Sequence, residues 1–451
     1  MTNKQPKTVP QTSTLCDDGV ATQVATPTSS STLSYSWLVT VMIILMRMML
    51  GGVFTMSGFV KAVDPWGTYY KFNEYFMAMG LESLTSLSLF FAFAIAVLEF
   101  VLGIMILTGS CRRGAIVMAL AIMAVMTPLT LWLAVTDAVP DCGCFGDFLV
   151  LSNWATFGKN VVLVAGLIYL LCLNCRVSSV YGPAVQWMVI LFSSLFSLTI
   201  AFVGYFTQPL LDFRPYKTGT HLMSRATSSD ENDYIFVYEK DGVEHEFTID
   251  SIPDDESGWN FVTRKEVPVA QSQPVEEQSV RSLSVWDNGD DVSDELFSND
   301  QLLLFLLPDL DRVSVAYTFR INELQEFASQ HGAKVVALTS GSDKEIAQWN
   351  DISMAHYPMY MTDDSEIKML ARGNPAVVYV REGKIEWKRT LQSIDPEEMH
   401  KAELSLITLS DDFEPSDILY TLIWLYVVSM LLLLLVNRTH VLVWHAFHKK
   451  R

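Results

Sequence analysis

Two cysteines of this 451-residue chain stand one glycine apart, in Cys142-Gly143-Cys144-Phe145-Gly146. The intervening glycine permits the tight turn that a disulfide between such near neighbours requires, and that bridge would be strained. A strained, exposed disulfide is labile, which suits exchange or electron transfer rather than bracing a fold. The same five residues also fit a turn with idle thiols, or a metal-binding loop. Arg47 and Glu99 are the next candidates, because each is a charge inside an apolar stretch, where isolation costs at least ~2.5 kcal/mol. Each lies about ten residues from the inner end of its stretch, about 15 Å deep, so the sequence predicts a buried ion pair between them. Such a pair either fixes helix register or serves as a quinone anchor or proton relay. Lys159, near the outer end of a later stretch, is placed either to stabilise a thiolate at Cys142 or Cys144 or to snorkel to the membrane surface.

The other cysteines carry less. Cys172-Leu173-Asn174-Cys175 puts two thiols on one helix face, but on a reducing side of the membrane, so it reads as ordinary helix-end residues. Cys16 and Cys111 read as inert. The 8 histidines are scattered without a His-x-x-x-His spacing, so no metal site is expected.

Long apolar stretches must position these residues. They cover residues 37–59, 84–107, 115–135, 154–173, 185–206 and 418–436, each long enough for a bilayer core. Short-loop basic residues set the orientation. With the N-terminus inside, the inner side receives Arg112, Arg113, Arg176, Arg438, Lys449, Lys450 and Arg451, and the outer side only Lys61 and Lys71. Both termini then face inward, while the Cys142 loop and residues 207–414 face outward. Residues 207–414 hold 40 Asp and Glu against 18 Lys and Arg, which argues against nucleic acid and anionic lipid as partners.

The expected organisation begins with a disordered cytoplasmic tail at 1–34 and a four-helix membrane domain at 35–176. Within it, residues 61–82 read as an aromatic interface connection with a turn at Pro65-Trp66-Gly67. A fifth span at 183–206 leads to an acidic, β-rich region and linker at 207–298. That region has a hairpin signal at Lys240-Asp241-Gly242 and a Pro/Gln/Ser/Glu-rich linker at 267–282. Residues 299–396 read as an α/β sandwich with a central mixed sheet: strands at 302–307, 334–339, 357–361, 376–381 and 384–389, with helices at 317–329, 344–350 and 366–371. A sixth span at 415–437 and a basic cytoplasmic tail at 438–451 complete the chain.

Four groups of residues carry a family resemblance. They are Arg47 with Gly52, Phe54, Ser57-Gly58, Lys61 and Asp64-Pro65; Glu99 with Gly103; the string Asp141-Cys142-Gly143-Cys144-Phe145-Gly146-Asp147; and Lys159-Asn160. Together they make residues 37–176 similar to the DoxX family and its relative MauE, the methylamine-utilisation membrane protein. The resemblance implies a four-helix membrane bundle linked to quinone or disulfide chemistry, by analogy with the vitamin K epoxide reductase-like bundle. The whole layout, with Asp212-Phe213-Arg214-Pro215-Tyr216 after the fifth span, resembles DoxX-type membrane proteins of the Bacteroides group, for which outside implies the periplasm and the membrane is the inner one.

Residues 299–396 resemble a thioredoxin-like domain, with Asn374-Pro375 where that fold carries its cis-proline. The redox motif is missing: Pro308-Asp309-Leu310-Asp311-Arg312-Val313 has no cysteine, nor does any position from 176 to 451. This domain cannot do dithiol chemistry, and what the resemblance leaves it is a partner-binding surface around Pro375. Two functions follow as expectations. One is a membrane redox protein whose Cys142/Cys144 pair exchanges electrons with a membrane quinone or a periplasmic thiol protein held by the outer domain. The other is a non-enzymatic scaffold or assembly factor with structural loop cysteines.

Overall fold

The computed structural model describes residues 30–139, 141–173, 179–223, 234–240, 243–247, 260–266, 280–395, 405–407, 409 and 415–448. Among the described residues, six helical stretches are long and apolar enough to cross a membrane: Trp37–Val63, Glu82–Thr108, Arg112–Thr136, Asn153–Leu173, Gln186–Phe206 and Pro415–Thr439. The helices that carry them are α1 (Ser30–Val63), α3 (Ser88–Thr108), α4 (Arg112–Thr136), α5 (Asn153–Leu173), α6 (Gln186–Phe206) and α11 (Pro415–His448). This is a multi-pass membrane protein. Leu50, Phe54, Leu102, Ile106, Ile116, Met123, Leu163 and Leu167 of α1, α3, α4 and α5 form one buried core, and α6 and α11 pack beside it.

Glycines set the register of α1 against α3. A Cβ at Gly58 would lie 2.7 Å from the Phe100 Cα, and one at Gly103 would strike the Thr55 backbone. The two backbones therefore touch with residue 58 level with residue 100.

The connection after α1 departs from the sequence reading. Pro65-Trp66-Gly67 is the first turn of a helix, α2 (Pro65–Ala78), rather than a bare turn. Asp64 caps it by accepting from the Gly67 N–H at 2.9 Å, and Pro65 opens it, where a missing N–H costs nothing.

Beyond α6 the chain forms an α/β domain. Its sheet has nine strands in the order β5-β1-β12-β11-β8-β9-β10-β6-β7. These are β1 (His221–Met223), β5 (Val280–Ser282), β6 (Trp286–Asp287), β7 (Asp290–Asp291), β8 (Gln301–Leu307), β9 (Lys334–Thr339), β10 (Met359–Met361), β11 (Ala376–Arg381) and β12 (Lys384–Thr390). Strands β8, β9 and β10 run parallel, and β11 and β12 antiparallel. The sheet is mixed, as expected, but it draws strands from outside residues 299–396.

The continuous apolar run of β8 is explained by burial on both faces. Leu303, Phe305 and Leu307 pack with α8 (Thr318–Gln330) and α9 (Asp343–Ser353). Leu302, Leu304 and Leu306 pack with α7 (Ser293–Phe297) and α10 (Asp364–Leu370). The Asn374-Pro375 bond is cis, as the sequence predicts. A separate three-stranded sheet holds β2 (Tyr234–Lys240), β3 (Val243–Phe247) and β4 (Asn260–Glu266), with the expected hairpin joining β2 to β3. The expected linker ends in strand β5, and its residues 267–279 lie outside the described residues, as do residues 1–29 of the expected tail.

Candidate functional site

The Cys-Gly-Cys loop is built by its own turns. Helix α4 ends at Asp137, and the first residue of α5 ties the loop's start: Asn153 Nδ2 donates to the Val139 carbonyl at 2.9 Å. Gly143 and Gly146 take φ of +58° and +51°, a region that glycine enters freely. A Cβ on Gly143 would also lie 2.8 Å from Lys71 Cγ. The Gly143 N–H donates to Asp141 Oδ1 at 2.8 Å, and the Gly146 N–H to the Gly143 carbonyl at 3.0 Å. These turns bring the Cys142 and Cys144 sulfurs to 2.9 Å, with both cysteines as thiols. Cys142 is 4% exposed and Cys144 is half-buried.

Five side chains tether this loop. Lys61 Nζ donates to the Cys144 carbonyl at 2.6 Å, to Ser57 Oγ at 2.7 Å and to Glu99 Oε2 at 2.7 Å. Ser57 Oγ donates to the same carbonyl at 2.7 Å. Tyr75 of α2 donates its hydroxyl to the Cys142 carbonyl. Lys71, also on α2, pairs with Asp141 at 3.0 Å and Glu74 at 3.0 Å. Arg372 of the α/β domain pairs with Asp147.

The two thiols differ electrostatically. Cys142 donates its S–H toward Cys144 and is buried, and both effects push its thiol well above the ordinary range. Cys144 accepts that hydrogen bond, and the Lys159 and Lys61 ammonium groups add to it, so its thiol is held below the ordinary value against the opposing effect of burial. Cys144 is therefore the more acidic thiol of the pair and Cys142 the less acidic. Lys159 sits 4.5 Å from the centre of the Phe145 ring. It lines, with Cys144, Glu99, Ser57 and Asn160, a cavity of about 30 Å³. That volume suits one water molecule among polar partners.

Arg47 and Glu99 do not meet. Glu99 pairs with Lys61, whereas Arg47 Nε donates to the Ile106 carbonyl at 3.1 Å, toward the inner end of α3. The depth estimate failed because α1 continues past residue 59 to Val63, carrying Lys61, and because the glycine contacts place residue 58 level with residue 100. Lys61, Ser57, Tyr75 and Lys71 were missed as site residues. The available signals were the Ser57/Lys61 spacing of four on one helix face and the Asp64-Pro65 helix start.

Pro375 is buried rather than presented on a surface, and its carbonyl accepts from the Leu391 N–H at 3.3 Å. What opens nearby is a cleft of about 890 Å³ between the membrane helices and the α/β domain. Trp66, Tyr69 and Tyr205 line one side, and Asp309, Tyr317 and Asn374 the other. Asn73 Oδ1 and Asn374 Oδ1, of residues lining this cleft, are buried acceptors without a hydrogen-bond donor among the described residues. Helix α2 separates cleft and dithiol: Trp66, Tyr69, Tyr70 and Asn73 line the cleft, while Lys71 and Tyr75 touch the Cys-Gly-Cys loop. Of the other cysteines, Cys111 and Cys172 are exposed free thiols, and Cys175 lies outside the described residues.

Three solved structures from Xanthomonas campestris are similar to part of the chain. Two cysteine-to-serine mutants of peroxiredoxin Q match at 13% identity and a TM-score of 0.19, covering 24% of this chain and 79% and 78% of theirs. A bacterioferritin comigratory protein, from a study of alkyl peroxide reduction, matches at 12% identity and a TM-score of 0.19, covering 32% of this chain and 90% of its own. No curated protein matches. Residues 233–271 match the model of a domain of unknown function (DUF8463). Residues 37–173, which hold α1 to α5 and the Cys-Gly-Cys loop between them, match the family model described as methylamine utilisation protein MauE, and over that stretch the chain carries a MauE family domain.

Proposed function

We propose that this protein is a membrane thiol–disulfide exchange component whose Cys142–Cys144 pair cycles between dithiol and disulfide on the outward, periplasmic face of an inner membrane. The carrying observation is the pair itself: two sulfurs 2.9 Å apart, with a thiolate-favouring environment on Cys144 and a proton-retaining one on Cys142. The Cys144 thiolate attacks one sulfur of a partner protein's disulfide, and the other partner sulfur leaves as a thiolate. Cys142 gives up its proton and attacks the Cys144 sulfur, which closes the Cys142–Cys144 disulfide and releases the partner as a dithiol. Two electrons pass to the partner, and the reverse sequence returns them. No step here is routed through a quinone.

The α/β domain reads as thioredoxin-like from the run β11-β8-β9-β10 in its sheet. Lacking cysteine after position 175, it contributes binding rather than electrons. The cleft beside Asn374, not Pro375, is the surface that would receive an extended segment of the partner, because it is about 890 Å³ and is lined by Trp66, Tyr69, Tyr205 and Tyr317.

Acid-quenched cells probed by alkylation, with the other four cysteines replaced by serine, should show the pair in both states, shifting when a dithiol reductant is added. A pair found in one state under all conditions would overturn this reading. That result would support a scaffold with structural cysteines, the reading that the burial of Cys142 favours.

A further inference from the structure

Arg372 stands between the α/β domain and the dithiol loop. It lies in the short link between α10 and β11, with its side chain only 6% exposed. Its backbone is clamped from both sides by one residue: the Arg372 N–H donates to Gln208 Oε1 at 3.0 Å, and its carbonyl accepts from Gln208 Nε2 at 2.6 Å. Gln208 Oε1 also lies 3.4 Å from an Arg214 Nη2 donor, and Arg214 pairs with Asp212 at 2.7 Å. Asp212 pairs in turn with Lys388 of β12. The Asp212-Phe213-Arg214-Pro215-Tyr216 string is thus the footing that fixes Arg372.

The guanidinium then bonds to three residues outward from this footing. Nη1 donates to the Lys368 carbonyl at 2.7 Å. Nη2 pairs with Asp64 Oδ2 at 2.8 Å, and with Asp147. Asp64 is the N-cap of α2, the helix whose Tyr75 and Lys71 hold the dithiol loop from one side. Asp147 lies three residues after Cys144 in the loop itself. One buried cation therefore fastens both the loop and the helix covering it to a domain that has no thiol.

We propose that Arg372 is a positioning residue for the Cys142–Cys144 pair, through which the thiol-free α/β domain keeps the loop closed beneath α2. The domain controls the reactivity of the dithiol without touching either sulfur. This goes beyond the exchange reading, and rests on it only for the reaction that the pair performs. Buried charge-assisted contacts are among the stronger hydrogen bonds, and deleting the cation leaves two carboxylates facing each other.

The test is the labelling rate of the reduced pair by a hydrophilic maleimide, in the full chain in detergent, with exposed Cys111 as the internal reference. Arg372→Met should raise the rate at Cys142 and Cys144 by about tenfold relative to Cys111, a factor equivalent to about 1.4 kcal/mol. Arg372→Lys, which keeps a cation, should restore most of the slow rate. Asp147→Asn changes a side chain that is 40% exposed, so the fold tolerates it. It should raise the rate by about threefold on loss of one charged contact, and it decides the matter alone if Arg372→Met does not fold. Rates within twofold of the parent in whichever of these two variants folds would overturn the proposal and leave Arg372 a simple interdomain tether. The rate is read on purified, reduced protein, so it stands or falls separately from the redox cycling measured in cells.

Discussion

Cys144 and Cys142 have unequal surroundings, and their roles should divide accordingly. Cys142→Ser should accumulate a mixed disulfide through Cys144 on non-reducing gels, and Cys144→Ser should not; equal trapping by both would contradict the assignment. The Cys142→Ser variant replaces the thiol donor beside Cys144 with a hydroxyl, so the pH dependence is best read on the parent protein. There, alkylation of Cys144 should rise with pH around a midpoint below the ordinary thiol value of about 8.5, because the thiolate, not the thiol, reacts. Lys61 and Glu99 form a buried pair, so removing one partner should cost about 3–5 kcal/mol and removing both much less. In a double-mutant cycle read by thermal unfolding, Lys61→Met and Glu99→Leu should couple, while Arg47→Met and Glu99→Leu should add within about 0.5 kcal/mol. The thiols were legible because cysteine spacing is local. The partner of Glu99 was not, because it depends on how far two helices slide past each other.

At the scale of elements, that slide is set by glycines. Gly58→Val should force α1 away from the Phe100 backbone and lower stability by about 1–3 kcal/mol or more, while Gly52→Ala, with open space around its Cβ, should be neutral or stabilising by up to about 1 kcal/mol. Thermal unfolding in detergent checks both, and equal effects would contradict the close-contact account. Helices α8, α9 and α10 and strands β8 to β12 were legible because their apolar spacing is long enough to show a period. Strands β1, β5, β6 and β7, of two or three residues each, show none. Helix α2 was hidden by its aromatic and glycine content, which imitates an interfacial turn, although Asp64-Pro65 announces a helix start.

At the scale of the molecule, six spans were legible from hydropathy alone, within a few residues at each end. Their orientation rests on basic residues in short loops, and it predicts opposite compartments for reporters fused at Ser282 and at the C-terminus. The same compartment for both would overturn it. The sheet topology carries a further consequence. Strands β1 and β5 are parallel neighbours, with His221 opposite Val280 and Met223 opposite Ser282, so the chain leaves the large sheet at one strand and re-enters at the next. Strands β2, β3 and β4, and the whole stretch matching the domain of unknown function, fall between those two points. Parallel neighbours need a link that crosses back over a sheet face, so a spacer of about a dozen residues is required between them. The seam between β1 and β5 is thus a natural splice point, where a module can be cut out or exchanged without reopening the host. Replacing residues 224–279 with such a spacer should leave the unfolding temperature within a few degrees and the maleimide pattern of Cys142 and Cys144 unchanged. Loss of the folded protein would show instead that the host needs its passenger.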